Sequence, residues 1–461
     1  MSSSTVQLPE DTLLDLAQYL DVTDLISLLS TCRVIRQIQL QKSLWLDCLI
    51  RIREVERHPH PLSNVEDLST LSLHRLQRTA QRAGRLMKNL RSNNPRPTRI
   101  HHFSVQPRCG FFCLTGTRFI VTHDEGIASC WDVFNGERVA HLEIPDLFVR
   151  GIPCMDEAGK ALICGSIGGD SRVDRLVAIC IDYRAGARVS ISHVVSPAVN
   201  EQFAGIFYIT PQVAGFSGRG YIITWSMNPN AKVTKQTDEV PRTPNLSCLP
   251  LEQNIYIFSQ GSIATDASVQ CLPLFPRRHP QSGNIDATPN TIVIPTRYSF
   301  ASNQKQLRRI SIGVMTMTSH VPRVCPPRYG VFAVTCRSLQ WDGSPVSVVH
   351  FWQGETAERG TVLNTGEAYY YEQRDHIRLW AVGHSGTYVL LLVDGVSSNE
   401  RDGYLGLLHF SSTPNPHTTF RKLDIRDAFA LASVSQIALD DSLGTVFLVD
   451  KEGSMTIISY A

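Results

Sequence analysis

Hydrophobic residues along this chain keep two different rhythms, and the change falls near residue 98. Before it, the spacing is helical. Leu13, Leu14, Leu16, Ala17 and Leu20 recur at three- and four-residue steps, and after Asp21-Val22 the spacing returns at Leu25, Ile26, Leu28, Leu29 and Cys32. Pro9 and Glu10 suit the opening of the first helix, because proline's missing N–H costs nothing there and an acid favours the positive helix end. Thr23 is the expected N-cap of the second. At 100° per residue each set covers an arc of about 160°, wider than the ~100° stripe that one core contact uses. So short a helical pair has more apolar surface than its own hairpin covers, which predicts another chain or domain lying against it.

Helical spacing continues at Leu46, Leu49, Ile50 and Ile52 and must stop near His58-Pro59-His60-Pro61. A longer helix follows, with Leu73, Leu76, Ala80, Ala83, Met87 and Leu90 on one face, a seam too short for a coiled coil. The other face carries Arg75, Arg78, Arg82, Arg85, Lys88 and Arg91 with no acid between them. A solvated face and a docking strip for an acidic partner are both open readings of that row. Asn93-Asn94-Pro95-Arg96-Pro97 ends the helix and marks a domain boundary.

From residue 98 onward, short runs of β-branched and aromatic residues alternate with turn residues. Residues 111–139 read as strand, turn, strand, turn, a strand ending Cys130-Trp131-Asp132, then Asn135-Gly136 as a hairpin turn into a fourth strand. Comparable stretches lie at 161–189, 203–227, 255–272, 290–314, 329–362, 377–410 and 433–460, with Trp225 and Trp352 placed as Trp131 is. The last stretch has three strands where the first has four. The extended segment 98–105 is the candidate for the missing outer strand, since a ring of sheets loses its exposed edge when an N-terminal strand joins the C-terminal sheet. At ~45 residues per unit, 98–461 holds seven or eight units. A pair of β-sandwiches is the alternative, and it suits less well segments that each hold three or four strands.

Composition narrows the classes. A chain of 461 residues can bury a large core and is expected to hold two or more domains, or one large repeat array. A formal net charge of +2 argues against a nucleic-acid protein held by bulk electrostatics. Twelve cysteines include no CxxC pair, which points to reduced core thiols in the cytoplasm or nucleus. The first residues lack a basic and then apolar leader pattern, so no secretory signal is expected. The apolar run 388–393 is too short to cross a bilayer, so no membrane partner is expected either. No GxSxG, HExxH, P-loop or GxGxxG appears; Gly165 to Asp170 has the wrong spacing, and the histidines are dispersed. The expectation is a protein without catalytic, metal or cofactor residues. An enzyme or lectin built on such sheets would need a bound metal or sugar.

Several of the N-terminal residues also carry a family resemblance. Leu8-Pro9-Glu10, Leu13-Leu14, Tyr19-Leu20-Asp21, Asp24-Leu25, Ser30-Thr31-Cys32-Arg33 and Ser43-Leu44-Trp45 follow the order of an F-box, which this segment resembles. It departs where the family usually has an aromatic after the cysteine and this chain has Val34-Ile35. The resemblance implies binding to the Skp-type adaptor of a cullin–RING ubiquitin ligase, with Leu8, Pro9, Leu13, Leu25 and Trp45 at the adaptor contact. Downstream, the repeats resemble WD-repeat blades at low specificity, through Trp131-Asp132, Trp341-Asp342 and Gly383-His384. The chain is thus expected to be mainly β with an N-terminal all-α module: an F-box module at 1–48, a helical linker at 49–97, and a seven- or eight-bladed β-propeller at 98–461 closed by an N-terminal strand. The implied role is substrate receptor of an SCF-type ligase, with an unidentified protein client on the propeller. Arg277, Arg278, Arg308 and Arg309 are candidate client contacts, since paired arginines hold carboxylate or phosphate bidentately. The alternative is a non-ligase propeller scaffold whose helices pack on it or self-associate.

Overall fold

The computed structural model is mainly β with a small N-terminal helical region. It describes residues 9–236 and 376–461 apart from 32, 55–64, 108, 125, 150–153, 156–158, 169–171, 184–187, 203–206, 219, 228–232, 384–387, 395–402, 411–417 and 426–430. From 237 to 375 it describes the strand backbones alone.

Among the described residues six helices make up the N-terminal region: α1 (Glu10–Ala17), α2 (Val22–Thr31), α3 (Arg33–Ile38), α4 (Lys42–Glu54), α5 (Val65–Thr70) and α6 (Leu73–Arg91). Their inward residues, among them Leu13, Leu25, Leu29, Trp45, Leu49 and Leu76, form one core. Residue 48, the expected end of the first unit, falls inside α4, and this core runs across it. α1 stops at Ala17, sooner than the spacing of Leu20 suggests, because the chain turns to begin the next cap. That cap is Asp21 rather than Thr23: the Asp24 N–H and the Thr23 hydroxyl both donate to Asp21 Oδ1 at 2.7 Å. A carboxylate reaches the first-turn amides from outside the helix, while Thr23 already lies within it.

The rest is a series of open, antiparallel, up-and-down sheets, seven of them with four or five strands among the described residues. Sheet I holds Gly110–Cys113, Phe119–Asp124, Ile127–Asp132 and Glu137–Glu143. Sheet II holds Leu147–Val149, Cys154–Met155, Lys160–Ile167, Arg175–Asp182 and Ser190–Val195, and sheet III runs from Phe207–Ile209 to Val233–Gln236. Sheet IV comprises Leu246–Leu251, Asn254–Gln260, Asp266–Pro273 and Asn290–Pro295; sheet V begins at Ser311–His320 and ends with Gly360–Tyr371. Sheet VI runs from His376–Val382 to Thr418–Lys422. Sheet VII joins Val434–Asp440, Thr445–Asp450 and Ser454–Ser459 to Arg99–Ser104 from the other end of the chain.

The stretch read as one unit at 290–314 is therefore divided. Asn290–Pro295 is the outer strand of sheet IV, and Ser311–His320 opens sheet V. An apolar strand flanked by turns carries no mark of which neighbour it pairs with. The expected closing strand is present, with Arg99 opposite Ser459 and Ser104 opposite Ser454. Each sheet packs on the next in chain order, and Gly110–Cys113 of sheet I packs on Val434–Asp440 of sheet VII.

One helix belongs to both parts. Leu76, Ala80, Ala83 and Met87 of α6 lie in the helical core, while Leu86 and Leu90 lie in a second core with Tyr388, Leu405, Leu439 and Tyr460. Asn89 Nδ2 donates to the Tyr460 carbonyl at 2.7 Å, and Arg82 reaches the Leu443 carbonyl at 3.4 Å. At Gly444 (φ +62°) an added Cβ would stand 2.2 Å from Leu86, so α6 sits directly on the sheet VII turn. The described residues contain no helix long and apolar enough to cross a membrane.

Candidate functional site

Among the described residues, three of the five exposed large apolar side chains lie in the helical region; the other two, Phe134 and Val194, lie singly on sheets I and II. Leu16 is 47% exposed, Tyr19 87% and Leu40 66%. Leu16 and Tyr19 are one turn apart, the Tyr19 N–H donating to the Leu16 carbonyl at 3.1 Å. Arg51 of α4 fixes this turn: its guanidinium donates to the carbonyls of Ala17, Gln18 and Leu20 at and beyond the end of α1. Leu40 follows Gln39, whose carbonyl accepts from Trp45 Nε1 at 2.8 Å and from Gln77 Nε2 at 2.7 Å. Both exposed turns are thus held from behind by α4 and α6. Neither Arg51 nor Gln39 bears a hydropathy signal, so the sequence gives no hint of these roles.

The five residues expected at an adaptor contact do not share one open surface. Pro9 is exposed at the head of α1, its carbonyl accepting from Leu13 N at 3.1 Å, and Leu8 lies outside the described residues. Leu13, Leu25 and Trp45 face inward, Trp45 at 1% exposure, and are core residues of the helical region itself. The broad apolar arcs are therefore largely filled by α4 and α6. Among the described residues of the helical region, the large apolar side chains left outward are Leu16, Tyr19 and Leu40.

An open groove of about 840 Å³ runs between α2 and α6. Half-buried Ile26 lies at its floor over the buried Val22, Gly84 and Met87; Asp21 and Asp24 stand on one wall, and Arg85, Lys88 and Arg91 on the other. Gly84 allows the close crossing, since a Cβ there would meet Val22 at 2.8 Å.

In the sheet region the polar groups hold structure. Asp132 of the Trp131-Asp132 pair is buried, meets Arg118 Nε at 3.2 Å and accepts from the Phe134 N–H, which closes its own turn. Asp440 accepts from Leu443 N and Ser442 Oγ within its turn and from Gly116 N of sheet I at 2.7 Å, a tie between the first and last sheets. Burial raises the Asp440 carboxyl, against the pull of those donors. Burial also lowers the Arg82 guanidinium, and the charge of Asp440 opposes that shift. Burial pulls His123 down to about 4 and pushes Cys109 up to about 11 and Cys130 to about 12, so these groups are neutral at ordinary pH. Among the described residues no three His, Cys, Asp or Glu side chains are grouped to hold a metal ion. Arg277, Arg278, Arg308, Arg309 and Trp341-Asp342 lie outside the described residues.

No family model matches the chain, and no curated protein matches it in sequence. Solved structures do resemble it in shape. The β-propeller domain of Cps50 (Swd1) from Myceliophteria thermophila gives a TM-score of 0.47 at 10% identity, covering 79% of this chain and 99% of that one. The WD40 domain of SCAP from fission yeast gives 0.40 at 8% identity, covering 74% and 82%. Hsv2 of Kluyveromyces lactis gives 0.39 at 9% identity, covering 73% and 87%.

Proposed function

We propose that this chain is a protein-interaction scaffold in which the cycle of sheets is a closed, seven-bladed propeller and the helical region is an F-box-like module. The module docks a Skp-type adaptor, and through it cullin and RING subunits, while the propeller holds a protein client. The observation that carries the reading is the outward apolar pair Leu16 and Tyr19 on a region whose own core is already complete. Exposed aromatics anchored on rigid backbone are the usual energetic centres of protein contacts. Pro9 extends that contact at the head of α1, Leu8 remains a sequence-based candidate for it, and Leu13, Leu25 and Trp45 serve it by holding the helices in place. The client is assigned to the propeller loops, with Arg277, Arg278, Arg308 and Arg309 as basic groups there. Its mechanism is geometric: α6 lies in both cores, so the two binding ends keep a fixed relation.

A second reading is a scaffold without a ligase partner. The docking of α6 on sheets VI and VII favours it, because helices that pack on their own propeller need no adaptor. Size-exclusion chromatography of the full chain mixed with a Skp-type adaptor separates the two. Co-elution is expected, and its loss in Leu16→Ser/Tyr19→Ser with unchanged circular dichroism. A chain that elutes alone or as a homodimer would overturn the ligase reading.

A further inference from the structure

The basic row of α6 is paid for locally, and one of its six members has a use inside the fold. Arg75, Arg78, Arg82, Arg85, Lys88 and Arg91 follow each other at three- and four-residue steps in a helix that has no acid. Like charges at this spacing repel by a few tenths of a kcal/mol per pair. Arg82 is half-buried, bonds the Leu443 carbonyl and faces Asp440. Arg75, Arg78, Arg85 and Lys88 are exposed, and among the described residues none forms an ion pair. The chain as a whole is nearly neutral, at +2, so this is a concentration of charge and not a general excess. At 1.5 Å per residue the row is roughly 24 Å long.

We infer that this strip and the adjoining α2/α6 groove bind an acidic peptide segment of a partner protein. Two features select a peptide over a nucleic acid or an anionic membrane. The groove presents half-buried Ile26 over the buried Val22 and Met87, a partly apolar floor, and its two walls differ in charge, with exposed Asp24 opposite Arg85 and Lys88. A peptide can turn its carboxylates to the α6 wall and neutral residues to Asp24, whereas a backbone charged at every unit meets both walls. Asp21 on the same wall is occupied as the cap of α2, accepting from the Asp24 N–H and Thr23 hydroxyl. Carboxylates of the peptide meet Arg78, Arg85 and Lys88, while its apolar residues enter the groove. The inference stands apart from the adaptor reading, since Leu16 and Tyr19 lie on a different helix turn.

Fluorescence anisotropy of a fluorescein-labelled oligoglutamate peptide carrying interspersed leucines, titrated with the full chain, tests it. Binding is expected to weaken at least about tenfold in Arg78→Glu/Arg85→Glu/Lys88→Glu and to weaken as salt rises. The milder Arg78→Gln/Arg85→Gln/Lys88→Gln keeps helix propensity, and should also lose binding if the reversed variant fails to fold. Arg138→Glu/Arg188→Glu, on exposed positions of sheet I and the sheet II edge, should change affinity less than twofold. Equal loss in that control, retained binding in the α6 variants, or stronger binding to duplex DNA or phosphatidylserine vesicles than to the peptide would each overturn the inference.

Discussion

The helical region and the sheet region are held together over very different chain distances. Every residue of the helical core lies between Leu13 and Met87, so α1 to α6 bury their apolar faces on sequence neighbours. Sheet VII closes only when Arg99–Ser104 finds Ser454–Ser459 from the other end of the chain. Local contacts form at small loop-closure cost, and the distant pairing must wait for the rest of the chain. α6 shares residues with both cores and couples a locally made region to a globally made one. The difference teaches where damage should stay confined and where it should spread.

The largest effect is expected from Trp45→Ala. Emptying that fully buried site should cost roughly 3–5 kcal/mol, with helical circular dichroism lost before the sheet signal on heating. Simultaneous loss of both signals would erase the distinction between the regions. Leu90→Ala comes next, at about 2–4 kcal/mol, and should spread: the α6 docking on sheets VI and VII loosens, read as faster proteolysis near residues 91–98. Asp440→Asn turns one acceptor of the carboxylate into a donor facing Gly116 N–H, and should cost about 1–3 kcal/mol in the sheet transition alone.

A smaller effect is expected from pH. Burial holds His123 at about 4 in the folded chain, below its ordinary 6.5, so the unfolded chain binds the proton first. Stability should rise as pH increases from about 4 to 6.5 and fall on acidification through that window, by on the order of 1–2 kcal/mol for this partly exposed ring. His123→Phe keeps the stacking on Phe112 and should flatten the slope; an identical slope in the variant assigns it elsewhere. The smallest stability effect, under about 0.5 kcal/mol, is expected from Leu16→Ser/Tyr19→Ser, because exposed side chains cost little to remove.

Much of this organisation is legible in the sequence, for physical reasons that also mark its limits. The seam from Leu76 to Leu90 shows α6, because burial on one face writes a period into the chain. The three-stranded last unit and the extended 98–105 segment together betray the closing strand. Hydropathy does not say which chain covers an apolar residue, and so Leu13, Leu25 and Trp45 read equally as contact or core until their neighbours are placed. The same ambiguity divides 290–314 between two sheets. Arg51, Gln77 and Asp440 act through backbone groups distant in sequence, and polar side chains of that kind leave no periodic trace.

On the proposed reading, the outward apolar turns of the helical region dock a Skp-type adaptor and keep a fixed relation to the sheets through α6. Hydrogen–deuterium exchange of the full chain with and without a Skp-type adaptor tests it most directly. The expected result is new protection around residues 16–20 and 39–41 with the sheets unchanged. Protection confined to the sheets, or no change at either turn at saturating adaptor, would contradict it.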